Sequence, residues 1–126
     1  MTNILVVDDA QDAAELLAML FQACGHDVHV AFDGDQGVQQ ARRYLPHIIF
    51  LDLDMPVMDG FGAARAIRAA PDMDHAFIVA LTAKVDMDVR ARTSAAGFDF
   101  YLQKPADTNA LLALVDDLQY RQREAC

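Results

Sequence analysis

Five short apolar segments limit what this chain can fold into. Four of them, residues 4–7, 28–32, 48–51 and 77–81, are rich in β-branched side chains and bounded by acids, Gly or Pro; a weaker fifth covers 98–102. Runs of this kind read as strands buried on both faces of a sheet. Between them the spacing turns helical. Leu16, Leu17, Leu20, Phe21 and Cys24 fall on one helical face, with Gly25 following as a stop. Leu111, Leu112, Val115 and Leu118 make a second stripe after the capping region Asp107-Thr108. Residues 35–44, 61–70 and 86–96 are helix-compatible with weaker stripes. Strand and helix alternate five times, which predicts an α/β fold: a parallel sheet with helices on both faces.

At roughly 150 residues per domain, the 126 residues are read as one domain, 1–126, with no repeat, low-complexity tract or linker. Apolar residues make up 54% of the chain, which excludes disorder. The run Ile4-Leu5-Val6-Val7 has no basic flank and ends in two acids, so it is no signal peptide. Nothing approaches the ~20 apolar residues of a membrane span, and the expected location is cytoplasmic. Cys24 is expected to be a small buried hydrophobe and Cys126 a tail thiol, with no disulfide between them. Ten Lys and Arg against nineteen Asp and Glu give a net charge of −9. That balance argues against unassisted nucleic-acid binding and against docking on anionic membranes.

In parallel α/β sheets, sites form beyond the carboxyl ends of the strands. This chain places Asp8 and Asp9, Asp52, Thr82 and Lys104-Pro105 there. A nucleotide-binding fold would carry a Gly-rich phosphate loop where Asp8-Asp9 stands, yet no Gly precedes Gly25. Two carboxylates in that turn attract a cation and repel an unescorted phosphate, although alone they also suit a helix cap. Asp52 ends an otherwise apolar strand. If the first and third strands are neighbours, each like-charge pair at ~4 Å costs about 4 kcal/mol at an effective dielectric near 20. Either one acid takes a proton or a divalent ion resides there. An all-oxygen cluster suits Mg²⁺, or Mn²⁺ in its place, and not Zn²⁺. Thr82 at a strand end is commonplace in itself. Lys104 is one of two lysines among ten basic residues, and a compact point charge among acids looks chosen. A metal-bound carboxylate backed by a hydroxyl and a lysine is equipped to receive a phosphoryl group, with Asp52 as the nucleophile.

At this point the sequence resembles the receiver domains of bacterial two-component response regulators, the family of the single-domain chemotaxis regulator. The matching stretches are Ile4-Leu5-Val6-Val7-Asp8-Asp9, Leu51-Asp52-Leu53-Asp54-Met55-Pro56-Val57-Met58-Asp59-Gly60, Leu81-Thr82-Ala83 and Gly97-Phe98-Asp99-Phe100-Tyr101-Leu102-Gln103-Lys104-Pro105. The resemblance implies a flavodoxin-like, doubly wound five-stranded parallel sheet in strand order 2-1-3-4-5. It implies that Asp52 accepts phosphate from a phosphohistidine on a sensor histidine kinase or histidine phosphotransfer protein. By the family pattern Asp9 and Asp52 ligate Mg²⁺ directly, Asp8 acts through water, and Asp54 offers its backbone carbonyl. Thr82 and Lys104 would bind phosphoryl oxygens, and the Lys104-Pro105 bond is expected to be cis. Tyr101 matches the switch aromatic that turns inward when Thr82 moves, repacking the face of the fourth helix, fifth strand and last helix for a downstream protein target. Such a chain is not an enzyme beyond its own phosphorylation and dephosphorylation. A phosphorylation-dependent dimer is compatible with it, and no output domain is expected within the chain.

Three departures from the family pattern stand out. Ala106 replaces the frequent Phe after Lys-Pro, which predicts looser packing at the start of the last helix. Phe98 and Phe100 flank Asp99 where small or polar residues are common, as partner surface or as buried bulk. Asp54 and Lys84 are expected to pair across the mouth of the site and to tune the lifetime of the phosphoryl group. Other classes compete for the same residues. Asp52-Leu53-Asp54 has the Asp-x-Asp spacing of haloacid-dehalogenase-type phosphatases, but follows the third strand and leaves no room for a cap. An inactive receiver-like module would tend to lose one of Asp8, Asp9, Asp52, Thr82 or Lys104. A flavin carrier would meet acidic loops and no Trp to stack on its ring.

Overall fold

The computed structural model describes residues 2–55, 58–73 and 75–125; the Pro56-Val57 pair of the matching stretch and Cys126 lie outside the described residues. The apolar runs form strands β1 (Asn3–Val7), β2 (Asp27–Ala31), β3 (Ile48–Asp52), β4 (Phe77–Thr82) and β5 (Phe100–Gln103). They alternate with helices α1 (Gln11–Ala23), α2 (Gly34–Tyr44), α3 (Gly60–Ala69), α4 (Met87–Ala96) and α5 (Thr108–Ala125). All pairings are parallel and the strand order is β2-β1-β3-β4-β5. The doubly wound, flavodoxin-like arrangement expected from the sequence is the one found.

Two-sided burial explains why the middle strands carry unbroken apolar runs. In β1, Ile4 and Val6 face one layer while Leu5 and Val7 face the other. The first layer packs Ile4, Val6, Ile48, Phe50 and Val79 under α1 and α5, with Phe21 of α1 stacked on Phe50 at 5.1 Å between ring centroids. The second packs Leu5, Val7, Ile49, Leu51 and Ile78 under α2, α3 and α4. Each fully buried aliphatic or aromatic side chain contributes about 1.5–3 kcal/mol, so the sheet centre is the most strongly held part of the molecule.

Three expectations need correction. Helix α1 turns Ala14, Ala18 and Phe21 to the sheet, with Leu17 partly buried beside them. Leu16 is 67% exposed and Cys24, the cap of the helix, is exposed as well. The small Ala14 and Ala18 let the helix lie close to the sheet, and the bulkier leucines form an adjacent stripe. Gly25 does end the helix, at φ +89, where the His26 amide donates to the Phe21 carbonyl at 3.2 Å. Strand β5 starts two residues later than the apolar run suggests. The Phe98 amide donates to the Thr93 carbonyl at 3.0 Å, so Phe98 belongs to the turn after α4. It is buried there, edge-on to Phe61, whereas Phe100 is 45% exposed.

Candidate functional site

The register of the sheet brings the sequence-selected residues to one edge. β1 and β3 are neighbours, so the turn after β1 and the last residue of β3 meet. Carboxylate oxygens of Asp8, Asp9 and Asp52 all lie within 4.8 Å of one another. Asp8 and Asp52 are buried and Asp9 is exposed, which gives a cluster closed on the protein side and open to water on the other. The Ala10 amide donates to Asp8 at 3.0 Å and the Asp54 amide donates to Asp52 Oδ1 at 3.2 Å, and these bonds orient both carboxylates.

Lys104 reaches this cluster from the end of β5, on the far side of β4. Its Nζ donates to Asp8 Oδ2 at 2.9 Å and sits 3.3 Å from Asp52 Oδ1. The lysine is positioned by backbone: its amide donates to the Thr82 carbonyl at 2.7 Å, and the Lys104–Pro105 peptide is cis, as the resemblance implied. Thr82 is buried at the end of β4, and its hydroxyl donates to the Lys84 carbonyl at 3.1 Å. Gly60 lets the start of α3 come this close. A Cβ on Gly60 would lie 2.3 Å from the Asp52 carbonyl oxygen and 2.8 Å from Leu53 Cα, both backbone atoms.

Burial pushes the Asp52 carboxyl up to about 6, and the nearby charge of Asp8 adds to it; the Asp54 amide and Lys104 oppose the shift. For Lys104, burial pulls downward, but the hydrogen bond to Asp8 and the charges of Asp52 and Asp8 outweigh it and hold the ammonium above its usual range. Two of the three carboxylates, Asp8 and Asp52, share one lysine, and Asp52 resists ionisation. Their donor set is oxygen only and open to water on the Asp9 side, which fits a hard divalent cation of the Mg²⁺ or Mn²⁺ kind.

Asp54 is exposed at the rim, and Lys84, 85% exposed, directs its ammonium toward Asp86 at 4.0 Å rather than toward Asp54. The expected Asp54–Lys84 pair is therefore not formed, because the turn after β4 aims Lys84 at the cap of α4. Tyr101 is half-buried on β5, with Arg90 5.7 Å over its ring and Phe100 6.1 Å away. Sequence reasoning missed two features here. One is Arg90, whose partner lies across a helix–strand contact. The other is a groove of about 680 Å³ beside Asp8 and Lys104, lined by Leu16, Leu17 and Leu20 of α1 and by Ala106 and Leu111. Its only signal in the sequence is Ala106 where the family often has an aromatic residue.

A parallel five-stranded sheet carries a carboxylate cluster, a hydroxyl and a lysine together at its carboxyl edge. The family model described as "Response regulator receiver domain" matches residues 4–116, and the chain belongs to that family. It is 37% identical over 131 residues to response regulator PleD of Caulobacter vibrioides, covering 98% of this chain and 29% of PleD. It is 37% identical over 113 residues to the DNA-binding response regulator MtrA of Mycolicibacterium paratuberculosis, covering 90% of this chain and 49% of MtrA. The chain thus spans less than half the length of these two relatives. Among solved structures, chemotaxis protein CheY4 of Vibrio cholerae superposes with a TM-score of 0.89 at 27% identity, covering 94% of this chain and 98% of that one. No helix among the described residues is long and apolar enough to cross a membrane.

Proposed function

We propose that this receiver takes a phosphoryl group onto Asp52 from a phosphohistidine of a sensor histidine kinase or histidine phosphotransfer protein, and signals by repacking its α4-β5-α5 surface against a protein target. The observation that carries this is the buried Asp52 carboxylate, held at a strand end 3.3 Å from Lys104 and within 4.8 Å of Asp8 and Asp9. An Asp52 oxygen attacks phosphorus, the P–O bond forms as the P–N bond breaks, and the imidazole leaves. Asp9 and Asp52 would hold Mg²⁺ directly, with Asp8 through water and the Asp54 carbonyl beside them. Bound there, the ion would offset the charge of the phosphoryl oxygens. Lys104 supplies the second positive charge, exchanging part of its pairing with Asp8 and Asp52 for a phosphoryl oxygen. Thr82 gives up its bond to the Lys84 carbonyl to donate to another, and Tyr101 turns into the space that Thr82 leaves.

A protein donor is supported by the apolar groove that ends on Asp8 and Lys104, since a helix bringing a phosphohistidine to Asp52 would cover it. This domain would act in the cytoplasm through protein contacts, its net charge of −9 disfavouring direct binding of nucleic acid or anionic membrane by the domain itself. Incubation with Mg²⁺ and acetyl phosphate or phosphoramidate tests the reading. Wild type is expected to label and Asp52→Asn to remain unlabelled, with chelation of the metal abolishing the wild-type signal. Equal labelling of the two proteins would overturn it.

A further inference from the structure

Helix α4 has little apolar contact to hold it. Of its side chains only Thr93 and Ala96 are buried, with Val89 partly so. Arginines reinforce it. Arg92 lies 4.1 Å over the Phe61 ring and Arg90 lies 5.7 Å over the Tyr101 ring. Beyond its end, Arg68 donates to the Gly97 carbonyl at 2.9 Å. Of these contacts only Arg90–Tyr101 touches the residue that must move when the phosphoryl group binds. The same resting arrangement occupies the Thr82 hydroxyl on the Lys84 backbone.

We propose that Arg90 is a positioning residue: by its attraction for the Tyr101 ring it holds the resting arrangement and so weakens the grip of the site on a phosphoryl group. This deepens the phosphoacceptor reading and rests on it. A guanidinium over a half-exposed ring favours that arrangement roughly two- to fivefold. A ring turned toward the space left by Thr82 leaves Arg90 and forfeits the attraction. A ligand that selects the turned-in state binds with an apparent dissociation constant inversely proportional to that state's population. Removing Arg90 therefore tightens binding. Plain electrostatics predicts the opposite sign, because loss of a cation from the neighbourhood weakens an anion's binding.

The test is calorimetric titration of the 126-residue chain in Mg²⁺ with beryllofluoride, a phosphoryl mimic. Arg90→Ala is expected to bind roughly two- to fivefold tighter than wild type, and Arg90→Lys to lie between them. Arg92→Ala removes an equal charge from the same helix and is expected to give no such gain. In a Tyr101→Ala background the effect of Arg90→Ala is expected to vanish, while a Tyr101→Phe background keeps it. In the ligand-free chain, the Tyr101 ring resonances should move in Arg90→Ala and stay put in Arg92→Ala. Unchanged or weaker binding in Arg90→Ala, or an equal gain in the Tyr101→Ala background, would overturn the proposal. A wild-type chain that ignores beryllofluoride would instead overturn the phosphoacceptor reading itself.

Discussion

Strands β3 and β5 flank the same strand, β4, yet the two sides are held very differently. Every residue of β3 is buried, while β5 is half-buried at best. The following or preceding helices repeat the contrast: α3 buries Gly60, Phe61, Ala63, Ala64 and Ile67, and α4 buries only Thr93 and Ala96. Asp52 ends the rigid strand, where a carboxylate can be held at fixed distance from its partners. Tyr101 sits on the loose one, where a ring can change places at small cost. On the proposed reading, chemistry needs the preorganised side and signalling the low-stability side, one on either flank of a single strand.

The largest effect that could break this contrast is at the sheet centre. Phe50→Ala, fully buried against Phe21, is expected to cost about 3–5 kcal/mol in denaturant unfolding, against under about 0.5 kcal/mol for the exposed Phe100→Ala. Similar losses at the two positions would dissolve the distinction. Next comes Asp52 itself. Its carboxyl, at about 6 when folded and 3.8 in the reference state, costs stability that is fully present above about pH 6 and disappears below about 4. Asp52→Asn is therefore expected to raise stability at pH 7.5 without metal. That gain should shrink as pH falls through the window, in melts run with a chelator. A gain independent of pH would show that burial of charge is not its source.

Lys104→Met leaves Asp8 and Asp52 without their ammonium, and a loss of about 2 kcal/mol is expected at neutral pH. The same change should slow labelling by a small phosphodonor about 100-fold or more, since one charged donor to the transferring group is gone. Full labelling rate in this variant would remove Lys104 from the proposed chemistry. A smaller effect than at Lys104 is expected on the loose side. Asp99 accepts from Arg68 at 2.6 Å and from the Ile78 amide at 2.9 Å. Being partly exposed, the pair is screened, and Asp99→Asn is expected to cost about 1 kcal/mol. Hydrogen exchange should then speed up around α4 and β5 while β3 keeps its protection.

How much of this was legible in the sequence follows from where each signal resides. The middle strands were readable because burial on both faces leaves an unbroken apolar run, and their ends were readable because Asp52 and Thr82 interrupt it. The start of β5 was not, since Phe98 and Phe100 look alike in sequence while one fills the space beside Phe61 and the other faces water. The buried face of α1 is hard to read for a related reason. Hydrophobicity favours Leu16 and Cys24 for the core, whereas close approach of helix to sheet favours Ala14 and Ala18. The site's composition could be read residue by residue from the strand ends. The direction in which Lys84 points, the Arg90–Tyr101 contact and the groove over Ala106 depend on how elements pack, and no spacing in the chain encodes them.

The central claim, that Asp52 is the atom-level destination of the phosphoryl group, is tested most directly by locating the label. The chain is phosphorylated with acetyl phosphate in Mg²⁺, the acyl phosphate is reduced with borohydride, and the peptides are sequenced by mass spectrometry. Reduction converts a phosphorylated aspartate to homoserine, and the account predicts homoserine at position 52 and at no other aspartate. Homoserine at Asp8, Asp9 or Asp54 with position 52 unmodified would contradict it.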